Sequence, residues 1–319
     1  GVLSIAVGYL IGIILQFVYM IFVSHKEIVL SKLMKLKNIF PEKSLASGLI
    51  IIVLIEVINQ SYVLVDRFFY KSVETGGIAA LNYANVLFIL PISIFSLALS
   101  TAIFPKFSQA FSINDFDTLK SHFTNAIRIN FFFFIPLVFL IFIFGDSFIR
   151  LIFERGKFTN QGTEMTFEVL QLLTFSLVFY SSYAIINKMI YSSGLINKLF
   201  FLTIILFVLK ILLNYFLVEN FKQNGLALSS SIIYFLFSLS GYLKLRNKFK
   251  FKLSLSFLKS FLLITLNCLL ALLIITTIGI LFLVESTFTN IFIISVFIIT
   301  YFLSSYFIDS DEIKLLRQT

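Results

Sequence analysis

The run "GVLSIAVGYLIGIILQFVYMIFV", Gly1 to Val23, carries no charged residue, and apolar stretches of similar length recur along the whole chain. A helix of about 20 apolar residues crosses roughly 30 Å of hydrocarbon. Lipid offers the backbone no hydrogen-bond partner, so a spanning segment must be a helix or part of a closed barrel. Barrel strands are short and alternating, whereas these runs are continuous. The fold class this predicts is all-α and polytopic. Composition agrees: mean hydropathy is +1.00, phenylalanine occurs 42 times and charged residues make up 13% of the chain. That leaves too little polar surface to cover a water-facing exterior.

Nine spans are predicted: Val2 to Val23, Leu45 to Phe69, Ile78 to Phe104, Ile129 to Ile149, Met165 to Tyr191, Leu199 to Val218, Leu226 to Leu243, Phe261 to Val284 and Phe288 to Ile308. The loops between them alternate in charge. One set holds most of the lysines, including the run Lys244, Arg246, Lys248 and Lys250; the other holds Arg67, Lys71, Arg150, Arg155, Lys157 and Lys222. The positive-inside tendency makes the richer set, and the C-terminus, cytoplasmic. The first span then enters from outside, which with the absent initiator Met suggests a longer parent protein. Residues 1–44 read as the first span with a basic amphipathic loop along the lipid surface, residues 45–243 as a helix-bundle lobe, and residues 244–319 as two additional spans.

Several chemistries are disfavoured. The net charge of +9 sits in short loops, where topology and anionic lipid account for it better than nucleic acid does. Cys268 has no partner cysteine, and His25 and His122 fall in separate predicted loops, which argues against a cysteine or histidine metal site. "RLIFERGKFTNQGTE" lacks the spacing of a phosphate-binding loop, and no nucleophile triad or carboxylate pair is apparent. An enzyme is not expected, nor a metal or organic cofactor.

Polar residues enter the predicted membrane spans in "LIEVINQSYVLVDRFFYKSVETGGIAALNYANVLFILP", Leu54 to Pro91. Glu56, Asn59, Gln60 and Asp66 dot one predicted span. Ionisable groups at membrane depth are costly and are therefore site candidates. Gly76 and Gly77 suit a tight outer turn, and Pro91 removes a backbone donor inside the next span; all three are hinge candidates, with a static kink as the alternative for Pro91. Arg67 is expected to snorkel to the interface. Asp66 is too short to do so and wants a cation.

Read in order, "INQSYVLVDRFF", "GGIAALNYA", "LSTAIFPKFSQAF", "IRLIFERGKFT" and "NGLALSSS" resemble the MurJ/MviN family of lipid II flippases, within the larger group that contains polysaccharide flippases and MATE exporters. The resemblance implies fourteen helices in two lobes about a central cavity, of which this chain would supply helices six to fourteen and lack most of the N-terminal lobe. It implies a multi-pass protein of the bacterial inner membrane that flips an undecaprenyl-pyrophosphate-linked sugar, lipid II above all, by alternating access. Asn82, Tyr83 and Asn85 would face the cavity. Some members are thought to bind a monovalent cation between an acid on helix seven, two positions on helix eleven and a hydroxyl on helix twelve. In this chain those positions fall on Asp66, Lys210, Asn214 and Ser230. Lys210 could then stand as a tethered ammonium in place of a free ion, neutralising Asp66; snorkelling or pairing with Glu56 is the alternative. Coupling to a monovalent cation or to protons is the accompanying expectation.

One departure bears on the substrate. Many lipid II flippases carry Asp-Arg after "YA", where this chain has Asn85 and Val86. Valine cannot imitate a bidentate phosphate ligand, so Lys188 or the missing lobe would have to supply phosphate contact. A polysaccharide or O-antigen flippase or MATE-like exporter is the alternative within transport, and a non-transporting membrane scaffold the alternative outside it. The partners expected are a polyprenyl-linked glycan and membrane lipids, without nucleic acid.

Overall fold

The computed structural model describes residues 2–24, 43–251, 255–281, 287–307, 312, 313 and 315. All secondary structure among them is helical. Most of the basic loop after Ser24, with His25, lies outside these residues. Contacts divide the chain into two units, Gly1–Ile50 and Ile51–Thr319. The first contains α1 (Val2–Ser24) and the opening turns of α2 (Lys43–Phe68). Everything below concerns the second.

After α2, a 3-10 turn (Phe69–Ser72) leads to α3 (Gly77–Pro91), a π-helical segment (Ile92–Ser96) and α4 (Leu97–Ser112). Then come α5 (Phe116–Phe153), α6 (Asn160–Thr174), α7 (Leu177–Ser192), α8 (Ile196–Phe249), α9 (Leu255–Leu281) and α10 (Thr287–Phe307). Each predicted span coincides with helix among the described residues. Among the described residues five helical stretches are long and apolar enough to cross a membrane, and α6 with α7, bent by 47°, gives a sixth where the pair counts as one span. The described apolar parts of α1 and α10 are shorter, and α8 holds two predicted spans as one merged helix broken at Lys222.

The differences from expectation have local causes. The predicted fourth span begins at Ile129, but α5 begins at Phe116, because Asp115 caps it by accepting from the Thr118 backbone N–H at 3.0 Å. Lys120, His122 and Arg128 therefore sit on helix, not in a loop. Bonds from the Thr118 hydroxyl and N–H hold the Asp115 carboxyl below the ordinary aspartate range. Arg128 is buried and pairs with Glu312 at 3.1 Å, with Ser260 a further hydrogen-bond partner.

Gly76 adopts φ +88°, which a side chain would strain. Gly77 serves a different need: a Cβ there would lie 2.6 Å from Val73 and 2.9 Å from Gln223 of α8. Pro91 closes α3 directly before the π segment, where the i→i−4 ladder is widened. Lys222 has φ 51° and ψ −128°, folding α8 into two arms. A Cβ on Gly225 would fall 2.5 Å from the Leu217 carbonyl oxygen, so glycine is what lets the arms approach at this corner.

Candidate functional site

The fold at Lys222 turns the two arms of α8 back on each other. Lys210 and Asn214, one turn apart on the first arm, thereby face Ser229 and Ser230 on the second. Asp66, near the C-terminal end of α2, completes the group. Lys210 is 1% exposed, and its ammonium lies 3.0 Å from Asp66 Oδ1. The same Nζ donates to Ser229 Oγ at 2.9 Å and Ser230 Oγ at 2.6 Å, with the Leu226 carbonyl at 3.5 Å. Asn214 donates to Asp66 Oδ1 at 2.7 Å and accepts from Ser229 Oγ.

These bonds close a ring through Asp66, Asn214, Ser229 and Lys210. A buried charge pair costs several kcal/mol of desolvation per ion, which good geometry and additional hydrogen bonds offset. Here all three ammonium protons meet oxygen, leaving no donor free for an anionic ligand. The ammonium is caged by a carboxylate, two hydroxyls and a carbonyl, the oxygen set that a hard cation would take.

Beside this ring lies a cavity of about 150 Å³, lined among others by Tyr62, Asp66, Asn82, Asn85, Lys210, Ser230 and Tyr234. It is large enough for several waters, at about 30 Å³ each. Its walls come from α2, α3, α6 and both arms of α8, so polar side chains from separate segments converge on one chamber. Asn, Ser and Tyr suit glycan hydroxyls, offering both donors and acceptors.

The other candidates lie elsewhere. Tyr83 turns away into an aromatic cluster, its ring 4.6 Å from Phe153 and 5.0 Å from Phe158. Lys188 stacks over Phe104 at 5.6 Å. Glu56 and Gln60 are exposed and Asn59 half-buried, and none of the three lines the cavity. Glu56, Asn59 and Gln60 lie on α2 before Tyr62, where the cavity lining on that helix begins. Ser229, which bonds Lys210, and Tyr62 and Tyr234 on the cavity wall are not among the residues that the sequence predicts for the site. Helical spacing contained the signal for both tyrosines, since Tyr62 precedes Asp66 by four residues and Tyr234 follows Ser230 by four.

The family model for the lipid II flippase MurJ matches residues 1–303. The chain belongs to this family. Relatives of MurJ type include the Probable lipid II flippase MurJ of Borreliella burgdorferi, 31% identical over 162 residues, which are 51% of this chain and 32% of that protein. The Lipid II flippase MurJ of Thermosipho africanus is 30% identical over 169 residues, 51% of this chain and 34% of that protein. The aligned region thus spans about a third of the length of these relatives. Among solved structures, one described as lipid II flippase MurJ in an inward closed conformation matches with TM-score 0.68 and 25% identity, over 79% of this chain and 52% of that one. An outward-facing multidrug resistance MATE family transporter matches with TM-score 0.56 and 14% identity, over 84% and 65%, a likeness of fold. The chain is therefore a helical membrane protein of MurJ and MATE-like architecture.

Proposed function

We propose that this chain forms the part of a flippase that carries a polyprenyl-pyrophosphate-linked sugar, lipid II as the leading substrate, across the bacterial inner membrane by alternating access, with its C-terminus in the cytoplasm. The observation that carries this reading is the polar chamber at the junction of α2, α3, α6 and α8, built around a buried ammonium that Asp66 and two serine hydroxyls coordinate, within an apolar bundle of a MurJ family member. A hydrated chamber of this kind admits a glycan headgroup while the lipid tail stays in hydrocarbon, and rocking of packed helices about it would expose it to one side and then the other. No reacting group is required, because translocation makes and breaks no covalent bond.

Within that scheme the chamber residues divide by what their hydrogen bonds leave free. Asn82 and Asn85 line the cavity and can meet sugar hydroxyls. Lys210 has no spare donor, so it acts on the chamber's charge and not as a phosphate ligand. It neutralises Asp66 as a tethered cation, which a free ion would otherwise have to do. Phosphate contact falls to residues outside this cavity.

Depletion of the protein in its own host tests the function. Lipid II facing the cytoplasm is expected to accumulate, and to be cleared when the wild-type gene is restored. An unchanged lipid II distribution, with a different polyprenyl-linked glycan accumulating instead, would move the protein to polysaccharide export.

A further inference from the structure

A second groove, of about 250 Å³ and distinct from the polar chamber, runs between α5, α7, the second arm of α8 and the start of α9, with Phe251 and Phe257 on its wall. Its walls include Phe123 and Phe131 of α5, Phe179 of α7, and Phe235, Leu239 and Tyr242 of α8. Phe179, Phe235 and Leu239 remain 38%, 39% and 41% exposed, so the groove opens at the protein surface. In a membrane-spanning bundle an open apolar channel of this size faces hydrocarbon, and an acyl chain is its natural filling.

What distinguishes this groove from ordinary lipid-facing surface is its end. On α8 the lining stripe of Phe235, Leu239 and Tyr242 continues four residues on at Arg246, and on α5 the stripe of Phe131, Ile127 and Phe123 continues one turn back at Lys120. Lys120 and Arg246 lie one turn beyond the groove walls, at the end where α5 begins and α8 closes and where Phe251 stacks on Phe123 at 5.2 Å. Lys120 meets Asp117 at 3.1 Å, but the Asp117 side chain is 96% exposed, and such surface pairs hold weakly. The neighbouring Lys244 and Lys248 are committed otherwise, donating to the carbonyls of Lys198 at 3.1 Å and Ser193 at 2.6 Å. Arg246 is exposed, and its guanidinium matches phosphate oxygens two at a time.

We propose that this groove is a binding site for an anionic phospholipid, with an acyl chain along the Phe-lined wall and the headgroup phosphate between Lys120 and Arg246. The inference stands apart from the transport reading, since it concerns a different face of the fold. Charge complementarity selects the anionic lipid: a zwitterionic headgroup brings its own ammonium to the basic end, whereas phosphatidylglycerol brings none.

The chain contains no tryptophan, so Phe235→Trp places one fluorophore in the groove. In nanodiscs, quenching of this variant by brominated phosphatidylglycerol is expected to exceed quenching by brominated phosphatidylcholine, with an apparent preference of about fivefold at low salt. Adding Lys120→Gln and Arg246→Gln should abolish the preference while both lipids still quench. If Phe235→Trp fails to fold, Leu239→Trp reports on the same wall. Equal quenching by the two lipids, or a preference that survives loss of Lys120 and Arg246, would overturn the assignment. Displacement of brominated phosphatidylglycerol by substoichiometric undecaprenyl phosphate would also overturn it, giving the groove to a substrate tail instead.

Discussion

Asp66→Asn is expected to destabilise the protein by about 3 kcal/mol, while Asp66→Asn combined with Lys210→Met recovers most of that loss. Lys210 is 1% exposed, so bulk solvent does little to screen its ammonium. Removing the carboxylate leaves its ammonium with two serine hydroxyls and a distant carbonyl, none of which carries charge. Breaking a buried pair from one side costs about 3–5 kcal/mol, and replacing both partners can be neutral or stabilising. The lower end applies because the Asp66 side chain is 24% exposed and solvent relieves part of the field. Thermal or denaturant unfolding of the full-length protein in detergent, for the two single variants and the double variant, measures this. A double variant as unstable as Asp66→Asn would mean that the pair is not the energetic centre of the ring.

The second large effect is on ion dependence. Substitution Lys210→Asn removes the ammonium and leaves Asp66 Oδ1, the Ser229 and Ser230 hydroxyls and the Leu226 carbonyl around the vacated position. Such an oxygen cage with one negative charge suits a hard monovalent cation. The wild-type protein is expected to transport equally in Na⁺ and in choline, because its cation is covalently attached. Lys210→Asn is expected to be nearly inactive in choline and to recover as Na⁺ is raised. The flipping rate in proteoliposomes under the two salts decides it; identical Na⁺ responses in wild type and variant would remove the tethered-cation role. Lys210→Met supplies neither a cation nor a ligand and should stay inactive in both.

Much of this architecture was legible in the sequence because hydrocarbon imposes a strict length on any helix that crosses it. The nine apolar runs and the turn at Gly76 follow from that constraint and from backbone sterics. The association of Asp66 with Lys210 and Asn214 was reachable too, since a short acid at membrane depth needs a cation and few are available there. Helix ends were less legible. Apolarity reports where lipid is, whereas α5 continues beyond it, capped by Asp115, and carries Lys120, His122 and Arg128 along.

Contacts between distant segments were least accessible. Nothing local to Arg128 announces Glu312, 184 residues away. Tyr83 sits beside Asn82 and Asn85 in the sequence, yet helical rotation sends its ring to Phe153 and Phe158. The family resemblance points to one hydroxyl, Ser230, whereas the corner at Lys222 presents both Ser229 and Ser230 to Lys210. The π segment after Pro91 likewise depends on packing: Ser96 bonds the Ser181 carbonyl of α7, a partner 85 residues away.

The central claim is that the chamber beside Asp66 and Lys210 receives the transported headgroup. Cysteine accessibility tests it most directly, in a Cys268→Ser background that removes the chain's one native thiol. Asn85→Cys, on the chamber wall, is predicted to react with a small hydrophilic thiol reagent and to be protected when lipid II is added to the full-length protein in nanodiscs. Val86→Cys, 55% exposed and absent from the chamber lining, is predicted to show no protection. Labelling of Asn85→Cys at the same rate with and without lipid II would contradict the account.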